Sequence, residues 1–273
     1  MTQPSASVAG HLGEFLQGVL GPGGPVALVT LPCPVLQVSA RVSPAEAFGI
    51  EDRGQGLIEP ARAVRFLETL GLRIDGKVTI AAEMPVGGGA GASTAALVAL
   101  ARVAGHAGPP PALAAACVRN EGASDPLMFP RPERLLWASR EARIVEGFPA
   151  LPRMEVVGGF FGPNRRTVAA DARFPDIADL VDRWRTAAGA ADAPALAALA
   201  SDSARRTLAL RGPSGDPTEA LAERLGACGF AIAHTGSARA LLFRPGTSGK
   251  TAESELIRAG FRQVVRFTVG GFA

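Results

Sequence analysis

A glycine-rich loop between a predicted strand and a predicted helix constrains this chain more than any other feature. Residues 77–84 alternate in polarity, which predicts a strand, and residues 95–104 are almost wholly apolar, which predicts a helix. Four of the five residues from 87 to 91 are glycines, which allow positive φ and a close approach of a ligand to the backbone. A helix that starts after such a loop presents free N–H groups and its positive dipole end to an anion. The order therefore predicts a phosphate site.

The predicted nucleotide-phosphate site covers the loop and the start of the helix, which we expect near Ser93. Its residues are Pro85, Val86, Gly87, Gly88, Gly89, Ala90, Gly91, Ala92, Ser93 and Thr94. The hydroxyls of Ser93 and Thr94 stand where a magnesium ion bound to a phosphate would sit, since Mg²⁺ prefers oxygen ligands.

Other interpretations fit a glycine loop of this kind. The spacing G-x-G-x-x-A from Gly87 also matches the dinucleotide pattern, but the acidic residue expected about 20 positions later is absent from the proline-rich segment 108–113. A nicotinamide-dependent oxidoreductase is therefore the least favoured function. No lysine follows the last glycine, which excludes a P-loop. A turn that only packs strand against helix, with no ligand, stays open.

Composition narrows the class of protein. The 273 residues are 47% hydrophobic and 19% charged, which suits one large domain or two modest ones. A net charge of +3 and the absence of Tyr argue against a nucleic-acid partner. Three widely spaced cysteines predict reduced thiols. No secretory signal and no membrane-spanning apolar run is present, so we expect a cytoplasmic protein without a membrane partner.

Residues 5–20 carry polar groups among small and apolar ones, namely His11, Glu14 and Gln17. They are either exposed groups on a strand and turn or the polar wall of a pocket. Further on, the segments 26–32 and 35–42 predict a pair of strands interrupted by Pro32 and Pro34.

Two acids lie four residues apart after a predicted helix. Gly122 and Pro126 keep Glu121 and Asp125 out of regular helix. Two solvated loop acids are one interpretation, but the adjacent Leu-Met-Phe of residues 127–129 favours a packed loop. From residue 154 onward, a strand, helices, two strands, a helix and a final strand predict an α+β lobe whose helices cover one face of an antiparallel sheet.

Residues 85–95 resemble the second motif of the GHMP kinases, P-x-G-x-G-L-G-S-S-x-A. Residues 10–18, G-H-L-G-E-F-L-Q-G, resemble the start of the branch that contains the L-threonine kinase of propanediol utilisation and cobalamin synthesis. Residues 121–129 resemble the E-P-T-D-x-x-M-F segment of that branch, and residues 234–238 the glycine-rich third motif. The departures of the chain from these patterns include Ala90 for Leu, Ala92 for the first Ser, and Gly122 for Pro.

The resemblance implies an α+β, two-lobed GHMP-kinase-like fold. Its N-terminal lobe, ribosomal-protein-S5-like, would span residues 1–150 and its C-terminal, ferredoxin-like lobe residues 151–273. It further implies ATP-dependent phosphorylation of an alcohol hydroxyl, with L-threonine giving O-phospho-L-threonine as the leading expectation. Homoserine or a related alcohol, and a catalytically impaired nucleotide-binding protein, are the alternatives. The resemblance leaves a homodimer open.

The resemblance also implies roles for individual residues. Ser93 and Glu121 would share one Mg²⁺, and Asp125 would accept the proton of the attacking hydroxyl or orient it. The small-molecule acceptor would be lined by Glu14, Gln17 and a turn comprising His234, Thr235, Gly236 and Ser237.

Overall fold

The computed structural model describes residues 3–165 and 170–271. The strands are β1 (Ser5–Val19), β2 (Val26–Ser43), β3 (Gly49–Glu51), β4 (Lys77–Ala82), β5 (Leu135–Ala138), β6 (Arg143–Gly147), β7 (Met154–Phe160), β8 (Gly229–Ile232), β9 (Ala238–Phe243) and β10 (Arg262–Val269). The α-helices are α1 (Pro60–Thr69), α2 (Ala92–Val103), α3 (Pro110–Glu121), α4 (Ala178–Gly189), α5 (Ala193–Arg211), α6 (Thr218–Arg224) and α7 (Ala252–Arg258).

The strands form one mixed sheet in the order β10-β7-β9-β8-β1-β2-β4-β3, with β5 and β6 branching from β2. Neighbouring strands are antiparallel except β3 and β4. Strands from the two halves of the chain meet where Glu14 of β1 pairs with Ile232 of β8. The predicted α+β class and the antiparallel sheet of the C-terminal half are confirmed, while the boundary at residue 150 stays a prediction.

Strand β2 runs unbroken through both prolines, so the predicted interruption between residues 32 and 35 is wrong. Pro32 pairs with His11 of β1, whereas residues 34–36 have no partner on β1 because the register shifts between Ala9 and Gly10. A bulge removes the need for a ladder N–H at Pro34, which proline cannot supply. The segment 48–57, which is rich in glycine and charged residues, contains the short strand β3.

Helix α2 lies at the centre of the larger hydrophobic core. Ten of its residues are buried, namely Ala92, Thr94, Ala95, Ala96, Leu97, Val98, Ala99, Leu100, Ala101 and Val103. A helix that is apolar on all sides is covered on all sides, and α2 packs against β1 and β2. Its position, and that of its N-terminus, is therefore fixed by the core. A smaller core cluster joins α6 and α7 to the C-terminal strands.

Among the described residues, no helix is both long and apolar enough to cross a membrane. All three cysteines are free thiols, with Cys33 and Cys117 buried and Cys228 half-buried, as their spacing predicts.

Candidate active site

A cavity of about 310 Å³ opens between the N-terminus of α2, strands β1 and β2, the loop after α3 and the turn after β8. The predicted site residues in its lining are Glu14, Gln17, Val86, Gly87, Gly89, Ala90, Gly91, Ala92, Ser93, Thr94, Glu121, Asp125, His234 and Thr235. Four other predicted residues, Pro85, Gly88, Gly236 and Ser237, are not in the lining. The structure therefore brings together segments that lie up to about 220 residues apart in sequence, from Glu14 to His234.

The glycine loop needs glycine for both conformation and space. Gly89 and Gly91 have φ of +73° and +71°, in the left-handed region that disfavours side chains. A Cβ at Gly89 would overlap the carbonyl oxygen of Thr235, and one at Gly91 would lie 2.7 Å from Cδ2 of His11. The loop is thus clamped between β1 and the turn after β8, which accounts for the cluster of small residues.

Carbonyl groups of the loop bond to the surrounding protein. Gly88 O accepts hydrogen bonds from the N–H groups of Ser237 (2.9 Å) and Ala238 (2.8 Å), and Ala90 O accepts from His11 N (3.1 Å). These contacts give Gly88 and Ser237 the role of fastening the loop from behind rather than lining the cavity.

The first hydrogen bond of α2 runs from Ala95 N to Gly91 O at 2.8 Å. The N–H groups of Ala92, Ser93 and Thr94 therefore have no partner within the helix and point out of its first turn. With the loop carbonyls facing the protein, this end of the cavity presents N–H donors and the positive end of the α2 dipole, which suit a phosphate.

Glu121, the last residue of α3, stands against the hydroxyls at the start of α2. Its carboxylate accepts hydrogen bonds from Ser93 Oγ and, at 3.4 Å, from Thr94 Oγ1. Arg62 Nη2 lies 3.0 Å from Glu121 Oε1. Burial raises the pKa of Glu121, and the Ser93 hydrogen bond and the Arg62 charge oppose that rise. The interpretation of Glu121 as a solvated loop acid is wrong, because its side chain is 11% exposed.

The loop between α3 and β5 holds Asp125 beside the same hydroxyls. Gly122 ends α3 at φ +79°, a conformation that proline, the residue of the resembling motif, cannot adopt. Ser124 N donates to Ser139 O at 2.9 Å, and Trp137 Nε1 donates to Ser124 O at 2.7 Å. Asp125 N is 3.3 Å from Thr94 Oγ1. The loop is packed, as its Leu-Met-Phe neighbours predict.

Two register shifts in β1 place His11, Glu14 and Gln17 along one cavity wall. The side chains of a regular strand alternate between its faces, so residues three apart would point to opposite sides. The pairing with β2 shifts between His11 and Glu14, and again between Glu14 and Leu16. All three side chains consequently line the cavity and are 2–3% exposed. The alternative of exposed groups on a turn is wrong.

His11 lies between two carboxylates. Its Nδ1 is 3.2 Å from Glu14 Oε1, and its Nε2 is 3.4 Å from Asp125 Oδ2. Burial lowers the pKa of His11, but the charges of Glu14 and Asp125 outweigh burial and raise the pKa to about 9. Burial raises the pKa of Glu14 to about 8 against the charge of His11. A cationic His11 keeps Asp125 beside a positive charge.

Two groups of residues could hold a cation. Ser93 and Glu121 offer oxygen atoms next to the N–H groups of α2, which fits a Mg²⁺ ion that also binds phosphate oxygens. Ligand atoms of His11, Glu14 and Asp125 also lie within 4.8 Å of one another. We favour the first pair for Mg²⁺, because imidazole is a poor ligand for this ion and His11 already neutralises the acids around it.

Several cavity residues have no signal in the sequence. Arg62, Arg140, Arg165 and Phe174 line the cavity from four separate segments. Arg62 is a surface-type residue on α1, and only the packing of α1 against α3 brings it to Glu121. For the β1 wall a sequence feature does exist: His11, Glu14 and Gln17 are spaced by three residues with a glycine at position 13, which indicates a β-bulge in this strand.

No protein-family model matches this chain, and no curated protein matches it. Similar solved structures include mevalonate kinase from methicillin-resistant Staphylococcus aureus MRSA252 (TM-score 0.63, 18% identity, 99% of this chain and 100% of that one). Homoserine kinase from Cytophaga hutchinsonii gives a TM-score of 0.62 at 15% identity, over 99% and 96% of the two chains. Streptococcus pneumoniae phosphomevalonate kinase in complex with phosphomevalonate and AMPPNP has a TM-score of 0.67 and 11% sequence identity, and the match covers 97% of this chain and 99% of that one.

These structural neighbours are GHMP kinases, phosphotransferases with small-molecule acceptors. The likeness spans the whole chain and confirms the predicted two-lobed GHMP-kinase-like fold. Because the sequence identities are below 20%, this likeness shows the fold alone.

Proposed function

We propose that this protein is an ATP-dependent kinase of the GHMP type that phosphorylates the hydroxyl of a small molecule. The observation that carries the proposal is a single cavity that combines the N-terminus of α2, the Ser93–Glu121 pair and the carboxylate of Asp125. Transfer of a phosphoryl group needs mainly positioning and neutralisation of charge. The fold of the structural neighbours, one of them in complex with AMPPNP, supports ATP as the donor.

In the proposed reaction, N–H groups of the loop residues that line the cavity and of the start of α2 bind the triphosphate. Ser93 and Glu121 hold Mg²⁺, which when bound neutralises charge on the phosphate oxygens. The oxygen of the acceptor hydroxyl forms a bond to the γ-phosphorus while Asp125 accepts the hydroxyl proton, and the bond from the γ-phosphorus to ADP breaks so that ADP leaves. His11 orients the Asp125 carboxylate from 3.4 Å.

L-Threonine is the acceptor that we propose, with O-phospho-L-threonine as the product. The support is the resemblance of residues 10–18 and 121–129 to the L-threonine kinase branch, and a homoserine kinase is among the structures with this fold. Homoserine or a related alcohol is the second candidate. A catalytically impaired nucleotide-binding protein is favoured by one observation, Ala92, which lacks the hydroxyl of the resembling motif.

A screen of acceptor-dependent ADP release tests the function. The purified protein with Mg·ATP is assayed with L-threonine, L-homoserine, 1-aminopropan-2-ol and 3-aminopropan-1-ol, and ³¹P NMR identifies the phosphorylated product. We expect release above the acceptor-free background with at least one amino acid. ATP binding without acceptor-dependent release would favour the impaired protein. A rise in melting temperature with NAD instead of ATP would overturn the proposal.

A further inference from the structure

We propose that Arg140 is the residue that recognises the acceptor, and that it does so by binding a carboxylate. The acceptor class is then a hydroxy acid or hydroxy amino acid rather than a neutral or purely cationic alcohol. This inference rests on the proposed kinase function and names the substrate class of the same cavity.

The three arginines of the cavity lining differ in what surrounds them. Arg62 already pairs with Glu121 at 3.0 Å. Arg165 is exposed, and its N–H donates to Gly87 O at 2.8 Å, which places it beside the glycine loop. Arg140 is half-buried, and no carboxylate within residues 3–165 or 170–271 forms an ion pair with it. Its charge is therefore available to a ligand.

An aromatic platform holds the guanidinium of Arg140 in place. The guanidinium lies 5.1 Å from the centre of the Phe174 ring, and Nη2 donates to the carbonyl oxygen of Asp171. Phe174 in turn stacks on His234, with ring centres 4.0 Å apart and an angle of 9° between planes. Cation–π contact and a backbone acceptor fix Arg140 without cancelling its charge.

His234 belongs to this platform as a neutral ring. Its Nε2 lies 2.6 Å from Nη1 of Arg211, and a guanidinium can only donate, so Nε2 is the acceptor. Burial, and then the charge of Arg211, lower the pKa of His234 to about 3. Arg211 pairs with Asp171 at 2.6 Å. Of the two guanidiniums at this platform, only Arg140 lacks a paired carboxylate.

The position of Arg140 suits an acceptor whose hydroxyl reaches Asp125. Arg140 follows Ser139, whose carbonyl accepts from Ser124 N at 2.9 Å, and Ser124 precedes Asp125. On the β1 side, Gly18 near the end of β1 pairs with Ala27 of β2, and Ala27 also pairs with Ala138 of β5. Arg140, two residues after Ala138, therefore lies near the end of β1 that is away from the glycine loop. The phosphate end and Arg140 therefore lie on either side of Asp125 along this wall.

The acidic groups of the cavity also lie apart from Arg140. The carboxyl groups that line the cavity are those of Glu14, Glu121 and Asp125. The buried carboxyl group of Glu14 on the β1 wall can accept a hydrogen bond from an ammonium group, whereas the charge of Arg140 can face a carboxylate. A hydrogen-bond acceptor and a cation at separate points fix the orientation of an amino acid.

Matched acceptors separate recognition of the carboxylate from catalysis. L-Threonine, its methyl ester and (R)-1-aminopropan-2-ol share one alcohol and one amine, and only the first carries a carboxylate. We expect the wild-type kcat/KM to be roughly 10- to 100-fold higher for the acid, the range for hydrogen bonds to charged groups. Arg140→Gln should raise the KM for L-threonine and so bring its kcat/KM close to that of the two analogues without a carboxylate. The KM for ATP and the rates with those two analogues should stay unchanged.

Control variants and a binding measurement keep the outcomes distinct. Arg140→Lys should restore part of the ratio, and Arg143→Gln, which changes an exposed arginine on β6 outside the cavity lining, should leave it intact. Equal losses with all three acceptors, or a higher KM for ATP, would overturn the assignment. Calorimetric titration of the same acceptors needs no turnover. If the protein proves inactive, tighter binding of the acid that Arg140→Gln abolishes still supports the subsite, and equal binding refutes it.

Discussion

The two ends of the cavity are built in different ways. At the phosphate end, one continuous segment of ten residues supplies N–H groups, and its carbonyls are tied to β1 and to the turn after β8. At the acceptor end, Gln17, Arg140, Phe174 and His234 come from four distant segments and act through their side chains. Under the proposed function, the first end binds a phosphate group through its backbone, whereas the second recognises the acceptor through side chains that single substitutions can change. A common fold can therefore serve different acceptors.

Asp125 lies between the two ends, and its substitution should have the largest effect. Asp125→Asn removes a proton acceptor but keeps the size of the side chain, so we expect turnover to fall by roughly 10²-fold or more with little change in ATP affinity. Steady-state kinetics and calorimetric titration with Mg·ATP measure the two quantities. Asp75→Asn, at a side chain that is 79% exposed, is the matched control. Unchanged turnover would remove Asp125 from the mechanism.

Gly89→Ala tests whether the phosphate end depends on backbone fit. An alanine at φ +73° is strained by roughly 1–2 kcal/mol, and its Cβ also overlaps the Thr235 carbonyl. Gly21→Ala carries the same strain at φ +77° but meets no atom within 4 Å. We expect Gly89→Ala to lose more free energy of unfolding in urea than Gly21→Ala, and to lose ATP affinity. Equal losses would mean that the turn after β8 does not clamp the loop.

Ser93→Ala tests a side chain on which we expect the phosphate end to depend. The change deletes the hydroxyl that contacts Glu121 and that we assign to Mg²⁺. We expect the affinity for Mg·ATP to fall roughly tenfold, the size of a lost hydrogen bond to a charged group. Affinity for ATP without Mg²⁺ should change less. Ser39→Ala, at an exposed position on β2, serves as the control, and an unaltered Mg²⁺ dependence would contradict the assignment.

A further expected effect, on stability instead of activity, is a pH dependence from His11 and Glu14. Both groups have a pKa in the folded protein above their ordinary values, about 9 and about 8, so the folded state holds protons that the unfolded chain releases. Their contribution is complete below the ordinary values and is lost as the pH rises through 8 and 9.

Urea unfolding between pH 6 and pH 9 measures this contribution. The free energy of unfolding should decrease with pH, by at most about 1.4 kcal/mol per pH unit for each proton. The double variant His11→Gln/Glu14→Gln is the neutral comparison and should show a weaker decrease. Parallel pH profiles of the two proteins would show that the cluster does not hold the extra protons.

The sequence alone predicts the strand, loop and helix around the glycines well, because the information that specifies them is local. Strand β4, the glycine loop and helix α2 are consecutive, and the glycines at 89 and 91 are needed for reasons of backbone conformation that their identity reveals. Glu121 and Asp125 are also accessible to sequence reasoning, since their spacing around a helix end and their packed neighbours indicate a fixed loop. The α+β class follows from the order of helices and strands.

Tertiary structure decides the rest. Only the register shifts of β1 against β2 turn Glu14 to the face of His11 and Gln17, since period-two alternation predicts the opposite face for a residue three positions away. Only the packing of α1 on α3 brings Arg62 to Glu121. Only the meeting of β5, Phe174 and the turn after β8 places Arg140 in the cavity without a carboxylate partner among the described residues. Backbone conformation is encoded by neighbouring residues, whereas the charge and burial of a side chain depend on groups that the fold brings from far along the chain.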